Sequence, residues 1–377
     1  MRLLAVTHEA SRTGSVRSFV EALPALRSIA DELHVVVKQR GPLVDEIARC
    51  ATTLSVTPHR AVWQARRSAR LRAFSALAPA IERYVARKVV EAGGFDLVYG
   101  NTVLSSEYVA AAQGLGVPSV LHVWEQQPLT SWAFTRAKLD PRKLMALVPS
   151  TFVGDELEAL GATVVAVLPG PLKHQRFAEL RKSPWSEGAF KVVACGTVAP
   201  WKGTAEFLEA ASLLQHLDGH PVEWAWVGGG PNFRDVRDES ARRGLPVRWI
   251  GEVPDAAPYL HAADVLVVPS RQETLGLVVL EAAAVGTPTV AFAVGGVPSI
   301  IRTKAALAPP GSVRDLVSKL RALLVNLPLR EEVLLASRPA VVEAGANRWR
   351  ARLSEAIALC LSSEPTSQAD IGTSLEV

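Results

Sequence analysis

A chain of 377 residues exceeds what one hydrophobic core usually supports, so two domains of ordinary size are expected. Nearly half of the residues are apolar and charges of both signs are mixed, which excludes a wholly disordered chain. The formal charge of +4 defines no anionic partner, and Cys50, Cys195 and Cys360 lack the spacing of a disulfide framework, a redox pair or a zinc site.

These features fit a reducing, cytoplasmic setting. The start of the chain turns polar too early for a secretory signal, and no run of ~20 apolar residues is present to span a bilayer.

Short β-branched runs at 3–7, 33–37, 95–99, 119–123 and 146–148 alternate with stretches long enough for crossover helices. This is the pattern of a doubly wound parallel sheet. A basic segment lies within it: between Arg60 and Lys88, eight arginines and lysines face the single acid Glu82, a local charge of +7. The interspersed Trp63, Leu71, Phe74, Leu77, Ile81 and Tyr84 fit amphipathic helices. Such helices read as a solvated face packed on the sheet, a peripheral contact with anionic lipid, or a surface for a charged acceptor. No nucleic-acid-binding module accompanies the charge, so no nucleic-acid partner is expected.

The stretches LPGPL at 168–172 and KSPWSEG at 182–188 break both periodicities and mark a hinge near residue 170. A second series of β-branched runs follows at 192–195, 224–227, 247–250, 265–268 and 288–291. The expected organisation is therefore α/β, with Rossmann-like domains over 1–170 and 171–345. A helix over 346–362, bearing Trp349, is expected to return to the first domain, and 363–377 to be a disordered tail. Two such sheets face a cleft at the carboxyl ends of their strands, where ligands of open α/β sheets bind.

The stretch RQETLGLVVLE at 271–281 follows the strand at 265–268. Glu273 is expected in the loop at that strand's carboxyl end, with Thr274 capping a helix and Gly276 letting backbone approach a ligand. The free N–H groups of such a helix start favour a phosphate. Glu281, seven residues after Thr274, shares its face about two turns inside. From spacing alone, Glu281 is either a ligand contact or a carboxylate satisfied within the fold, and Glu273 either a ligand contact or a solvated loop residue.

The ordered set GEVP at 251–254, AADVLVVPS at 262–270, ETLGL at 273–277 leading to Glu281, GTPTVA at 286–291 and GGVP at 295–298 closely resembles glycosyltransferase family 4. That family comprises retaining enzymes of the GT-B fold, the glycosyl transferases group 1. Upstream, CGTVAPWKG at 195–203 is similar to its phosphate loop and VGGGP at 227–231 to its next strand-loop.

The resemblance implies a retaining transferase that moves a sugar from a nucleotide-diphosphate donor to an acceptor hydroxyl. It implies that Glu273 binds donor-sugar hydroxyls, Glu281 the ribose, the backbone of Gly276 and Leu277 the diphosphate, and Lys202 the charge growing on the leaving group. The implied donor-binding set is Gly14, Gly196, Thr197, Lys202, Glu252, Val253, Glu273, Thr274, Leu275, Gly276, Leu277 and Glu281. Glu273, Lys202 and His122 lie nearest the chemistry.

Two departures qualify the resemblance. An arginine commonly follows the phosphate-loop glycine, where this chain has Thr197; Arg271 is the candidate to supply the missing charge. The histidine often found about six residues after a proline in the first domain is here Trp124, counting from Pro118, so His122 or Glu125 is left to supply that contact. With no D-x-D triplet, neither a metal nor another cofactor is expected. The alternatives are a nucleotide-sugar epimerase on the same fold and a catalytically decayed sugar-nucleotide-binding protein.

Overall fold

The sheet at the start of the chain is built from β1 (Arg2–Thr7), β2 (Glu32–Val37), β3 (Thr53–Val56), β4 (Leu97–Asn101), β5 (Ser119–His122), β6 (Met145–Val148) and β7 (Thr163–Val167). The structure is a computed structural model and describes residues 1–57, 72–172 and 185–362. The expectations for 58–71, for 182–184 of the 182–188 break and for the tail at 363–377 fall outside the described residues.

The strands pair in the order β3-β2-β1-β4-β5-β6-β7, every pair parallel. Helices cover both faces, so the inner strands β4 and β5 are buried along their whole length and read as continuous apolar runs. The order reverses between β1 and β4. Their carboxyl ends flank the switch point at which doubly wound sheets bind ligands.

β3 and β7 were not foreseen from the sequence. Both lie at sheet edges with partly exposed residues, so burial does not impose on them the signature it imposes on the centre.

The second sheet contains β8 (Phe190–Cys195), β9 (His216–Leu217), β10 (His220–Val227), β11 (Val247–Gly251), β12 (Val265–Val268), β13 (Thr289–Phe292) and β14 (Leu307–Ala308). Its order is β11-β10-β8-β12-β13-β14, with β9 antiparallel to β10. The switch point falls between β8 and β12, both covered by helices and buried in their central residues.

The chain divides into two compact units. The first comprises 1–149, 153–168 and the chain from Trp349 onward; the second comprises Ser150–Phe152 and Pro169–Arg348. The last described helix, Ala346–Ser362, inserts Trp349, Leu353, Ile357 and Cys360 into the first unit's core beside Leu3, Phe19 and Tyr99. Arg350 fixes it by donating to the Glu21 carboxylate at 2.6 Å.

Candidate active site

The second unit gathers its motif residues at the carboxyl ends of parallel strands. The loop after β8 runs through Gly196 and Thr197 into a single helical turn, Pro200–Lys202. The loop after β12 carries Ser270 to Gly276. Gly203, at φ +73°, faces the Pro269 carbonyl so closely that a Cβ there would sit 1.7 Å from its oxygen. A glycine is required to lay one loop on the other. The backbone N–H of Arg271 completes the clasp by donating to the Trp201 carbonyl at 2.9 Å.

This packing delivers Lys202 to Glu273. The lysine Nζ donates to Glu273 Oε1 at 2.6 Å, and the Ser270 hydroxyl donates to the same oxygen at 2.8 Å. The carboxylate is buried while the ammonium keeps some access to solvent. A positive group and a hydrogen-bond acceptor thus stand side by side at the switch point.

Gly276, at φ +90°, is the N-cap of the helix Leu277–Ala284, whose first N–H groups have no partner within the helix. The sequence expectation is corrected on two points. Thr274 is not the cap, because the helix starts at Leu277 with Gly276 as its N-cap and no side-chain cap hydrogen bond forms there; the Thr274 carbonyl accepts from the Ser150 hydroxyl at 2.5 Å. Glu281 is therefore the fifth residue of the helix, little more than one turn from its start. Leu275 is buried and Leu277 partly so.

Glu252 is exposed, as is Thr197, and Val253 packs partly buried against the core. The loops carrying Glu252 and Gly196 meet through Gly228, whose N–H donates to the Gly251 carbonyl at 2.8 Å. Arg271 does not take up the charge lacking at Thr197. Its Nε donates to the Glu206 carboxylate at 2.5 Å, which balances its charge locally. The supporting contacts of Ser150 and Ser270 were not anticipated. Ser270 lay within a quoted motif, whereas Ser150, 124 residues from Thr274, carried no local signal.

In the first unit, Gly14 opens the helix Gly14–Ile29 at the carboxyl end of β1. Asn101 ties that helix start to the strand ends: its Nδ2 donates to the Ser15 carbonyl and the Thr7 hydroxyl, each at 3.3 Å, and its Oδ1 accepts from the Trp124 indole at 3.0 Å. Trp124 thus has a positioning role in the register where a histidine was sought.

His122 is corrected as a candidate for the chemistry. It is buried at 1% exposure, stacks on Trp124 at 4.4 Å between centroids and on Trp349 at 6.2 Å, and shares a 2.9 Å hydrogen bond between Nδ1 and the Tyr99 hydroxyl. Burial pushes its pKa down to about 3. It is a neutral core histidine. Glu125 instead accepts from the N–H groups of Val103 at 3.0 Å and Trp124 at 3.2 Å, and desolvation raises its pKa above the ordinary carboxylate range. Among the described residues, no group of three or more His, Cys, Asp or Glu comes together as metal ligands.

Two doubly wound parallel sheets, each with polar loops at its switch point, define the class: the fold is GT-B. Residues 189–326 match the family described as Glycosyl transferases group 1. That match lies within the second unit.

The chain is 32% identical over 253 residues to the sulfoquinovosyl transferase SQD2 of Arabidopsis thaliana, covering 62% of this chain and 47% of that protein. It is 28% identical over 211 residues to a D-inositol 3-phosphate glycosyltransferase of Jonesia denitrificans, covering 53% and 47%. The chain thus spans about half the length of the curated relatives it matches. Among solved structures it is similar to Anabaena HepE in complex with UDP, at TM-score 0.73 and 19% identity, covering 95% of this chain and 100% of that one. It is likewise similar to a sucrose-phosphate synthase from Thermosynechococcus elongatus, at TM-score 0.72 and 16% identity, covering 95% and 99%.

Proposed function

We propose that the protein is a retaining, metal-independent glycosyltransferase that moves a sugar from a nucleoside-diphosphate sugar to an acceptor hydroxyl. The observation that carries this reading is the Lys202–Glu273 pair, 2.6 Å apart at the second unit's switch point, next to a helix start capped by Gly276. The family match and the binding of UDP and UDP-glucose by HepE support a nucleotide sugar as donor.

Each charge has a role in that reaction. The Glu273 oxygens accept hydroxyls of the donor sugar, which fixes the anomeric carbon. The helix N–H groups and the Lys202 ammonium stabilise negative charge growing on the diphosphate as the glycosidic bond breaks. The absence of a D-x-D triplet supports metal independence. Because the leaving diphosphate itself takes the acceptor proton, no strong protein base is required, which agrees with a buried, neutral His122. Glu281 binds the ribose.

A thermal-shift screen of the full chain across UDP, GDP, ADP and dTDP and their sugars tests this. One nucleoside diphosphate should raise Tm by several degrees, in line with ~2.7 kcal/mol of stabilisation at a concentration of 100 Kd. Stabilisation by none would refute the reading.

A further inference from the structure

Thr197 brings no charge to the loop after β8, and Arg271 is tied to Glu206. What remains for this loop to offer an anion is a backbone N–H. The peptide groups on either side of Thr197 are consumed by the fold. The Gly196 N–H donates to the Val227 carbonyl at 2.9 Å, the Val198 N–H to the Gly229 carbonyl at 2.8 Å, and the Val198 carbonyl accepts from the Asn232 N–H at 3.3 Å. Thr197 itself is exposed, and its N–H has no partner among the described residues.

The Gly196 carbonyl decides where that N–H points. It accepts from Trp226 Nε1 at 2.9 Å, and Trp226 is buried at 2% exposure. The peptide joining Gly196 to Thr197 is trans and planar, so its N–H runs antiparallel to its C=O. With the carbonyl drawn inward to the indole, the Thr197 N–H is turned outward. Gly228 leaves room for this arrangement, since a Cβ there would sit 2.0 Å from the Gly196 oxygen.

A glycine at φ +141° has the backbone freedom to flip this peptide. The indole forbids the flip. It is a donor only, so a flipped peptide would set its N–H against another N–H and leave a buried donor unpaired. Trp226 cannot turn away to relieve it. Its ring stacks on Trp249 at 5.9 Å between centroids and meets Phe207 edge-on at 5.0 Å, geometries that fix a buried ring.

The same peptide lies beside Lys202. A Cβ placed on Gly196 would be 4.0 Å from Lys202 Cε, and Phe207 belongs to the helix Thr204–Leu213 that follows the Lys202 turn. One aromatic cluster thus supports both the outward N–H and the base of the lysine.

We propose that Trp226 is the positioning residue of this loop: its indole selects the peptide orientation in which the Thr197 N–H joins the Lys202 ammonium at the terminal phosphate of a nucleoside diphosphate. The assignment rests on the transferase reading above. In that reaction the glycosidic bond breaks at the terminal phosphate, so negative charge grows there. A fixed N–H dipole beside an ammonium stabilises that charge with no reorganisation.

The test is calorimetry on the full chain with the matching nucleoside diphosphate, its monophosphate and inorganic pyrophosphate. Trp226→benzothienylalanine replaces the indole N–H by sulfur and keeps the ring's shape; Trp226→Phe removes the same donor genetically. In both, the preference for diphosphate over monophosphate should fall by about 10-fold, the scale of one hydrogen bond to a charged group, with monophosphate affinity held to within about two-fold. Trp224 is the control. Its Nε1 donates to the Leu214 carbonyl at 3.0 Å and its ring also packs on Phe207, so Trp224→benzothienylalanine should keep the preference of the parent.

An unchanged preference in the Trp226 variants, an equal loss of diphosphate and monophosphate, or the same fall in the Trp224 variant would overturn the proposal. Pyrophosphate separates this outcome from failure of the transferase reading. If no nucleoside diphosphate binds the parent, while pyrophosphate binds and is weakened about 10-fold by Trp226→benzothienylalanine, the transferase reading fails and the Trp226-positioned anion site stands.

Discussion

Lys202 Nζ donates to Glu273 Oε1 across 2.6 Å and 71 positions of sequence, joining the loops that leave β8 and β12. The two side chains act as one unit, each setting the position of the other. Lys202→Ala and Glu273→Gln should each lower sugar transfer by about 10²-fold or more, with a coupling of about 1–3 kcal/mol in the double-mutant cycle. Steady-state kinetics of the four proteins measure it, and additive effects would dissolve the pair as a unit.

Glu281 lies on the fifth residue of the helix that Gly276 caps, while Glu273 lies in the loop before it. Glu281→Ala should weaken binding of the matching nucleoside diphosphate by about 10-fold, the loss of a hydrogen bond to a charged group. Glu273→Ala should leave that affinity much less affected while lowering turnover. Calorimetry separates the two, and an unchanged Kd for Glu281→Ala would remove the ribose contact.

Gly203 allows the β8 loop to lie on the Pro269 carbonyl. Gly203→Ala puts a Cβ 1.7 Å from that oxygen at φ +73°, so backbone must move. The left-handed conformation alone costs roughly 1–2 kcal/mol. The urea midpoint of the second unit should fall and the nucleotide-induced thermal shift should shrink; a variant equal to the parent in both would mean that the loops are not clasped there.

His122 predicts an acid limb of stability. Its pKa is about 3 in the fold against 6.5 ordinarily, so between those values the unfolded chain binds the extra proton. Stability should be held above pH 6.5 and lost on acidification through the window, by up to about 1.4 kcal/mol per pH unit. His122→Phe removes this proton uptake, and its urea-unfolding free energy should vary less steeply from pH 6.5 to 4. Parallel profiles for parent and variant would contradict a buried neutral imidazole.

The helix Arg72–Gly93 leaves Leu77, Ile81 and Tyr84 exposed by 56%, 46% and 64%, spaced to share one face, with Arg87 and Lys88 following. No helix among the described residues is long and apolar enough to cross a membrane. Cosedimentation with anionic vesicles should exceed that with neutral ones and should drop on Ile81→Glu. Equal recovery with both vesicle types would assign this face to solvent.

The β12 loop and the helix it leads into were legible in the sequence because each is a local pattern, an apolar strand run and an apolar helical stretch broken by the single charge of Glu281; Lys202 was singled out by the resemblance of its loop. The two parallel sheets were legible for the same reason, since burial on both faces writes continuous apolar runs into the central strands. The edge strands β3 and β7 and the short β14 bear no such constraint and were missed. Thr274 was misread as a cap because a threonine is the usual capping residue, whereas here the left-handed Gly276 starts the helix two residues later.

His122 marks the same boundary between local and distant information. By sequence it stands at the end of a strand near the ligand side. Its environment is made by Tyr99, Trp124 and Trp349, brought together by strand pairing and by the return of the last helix, and that environment makes it a core residue. Conversely, His8 and Thr102 stand 94 positions apart, and only the pairing of β1 with β4 brings them within hydrogen-bonding distance. Sequence determined the central strands and the loops that leave them, because backbone periodicity and glycine conformations are local. Tertiary structure decided which side chains are charged, exposed or paired, because desolvation and hydrogen bonding depend on neighbours far away in the chain.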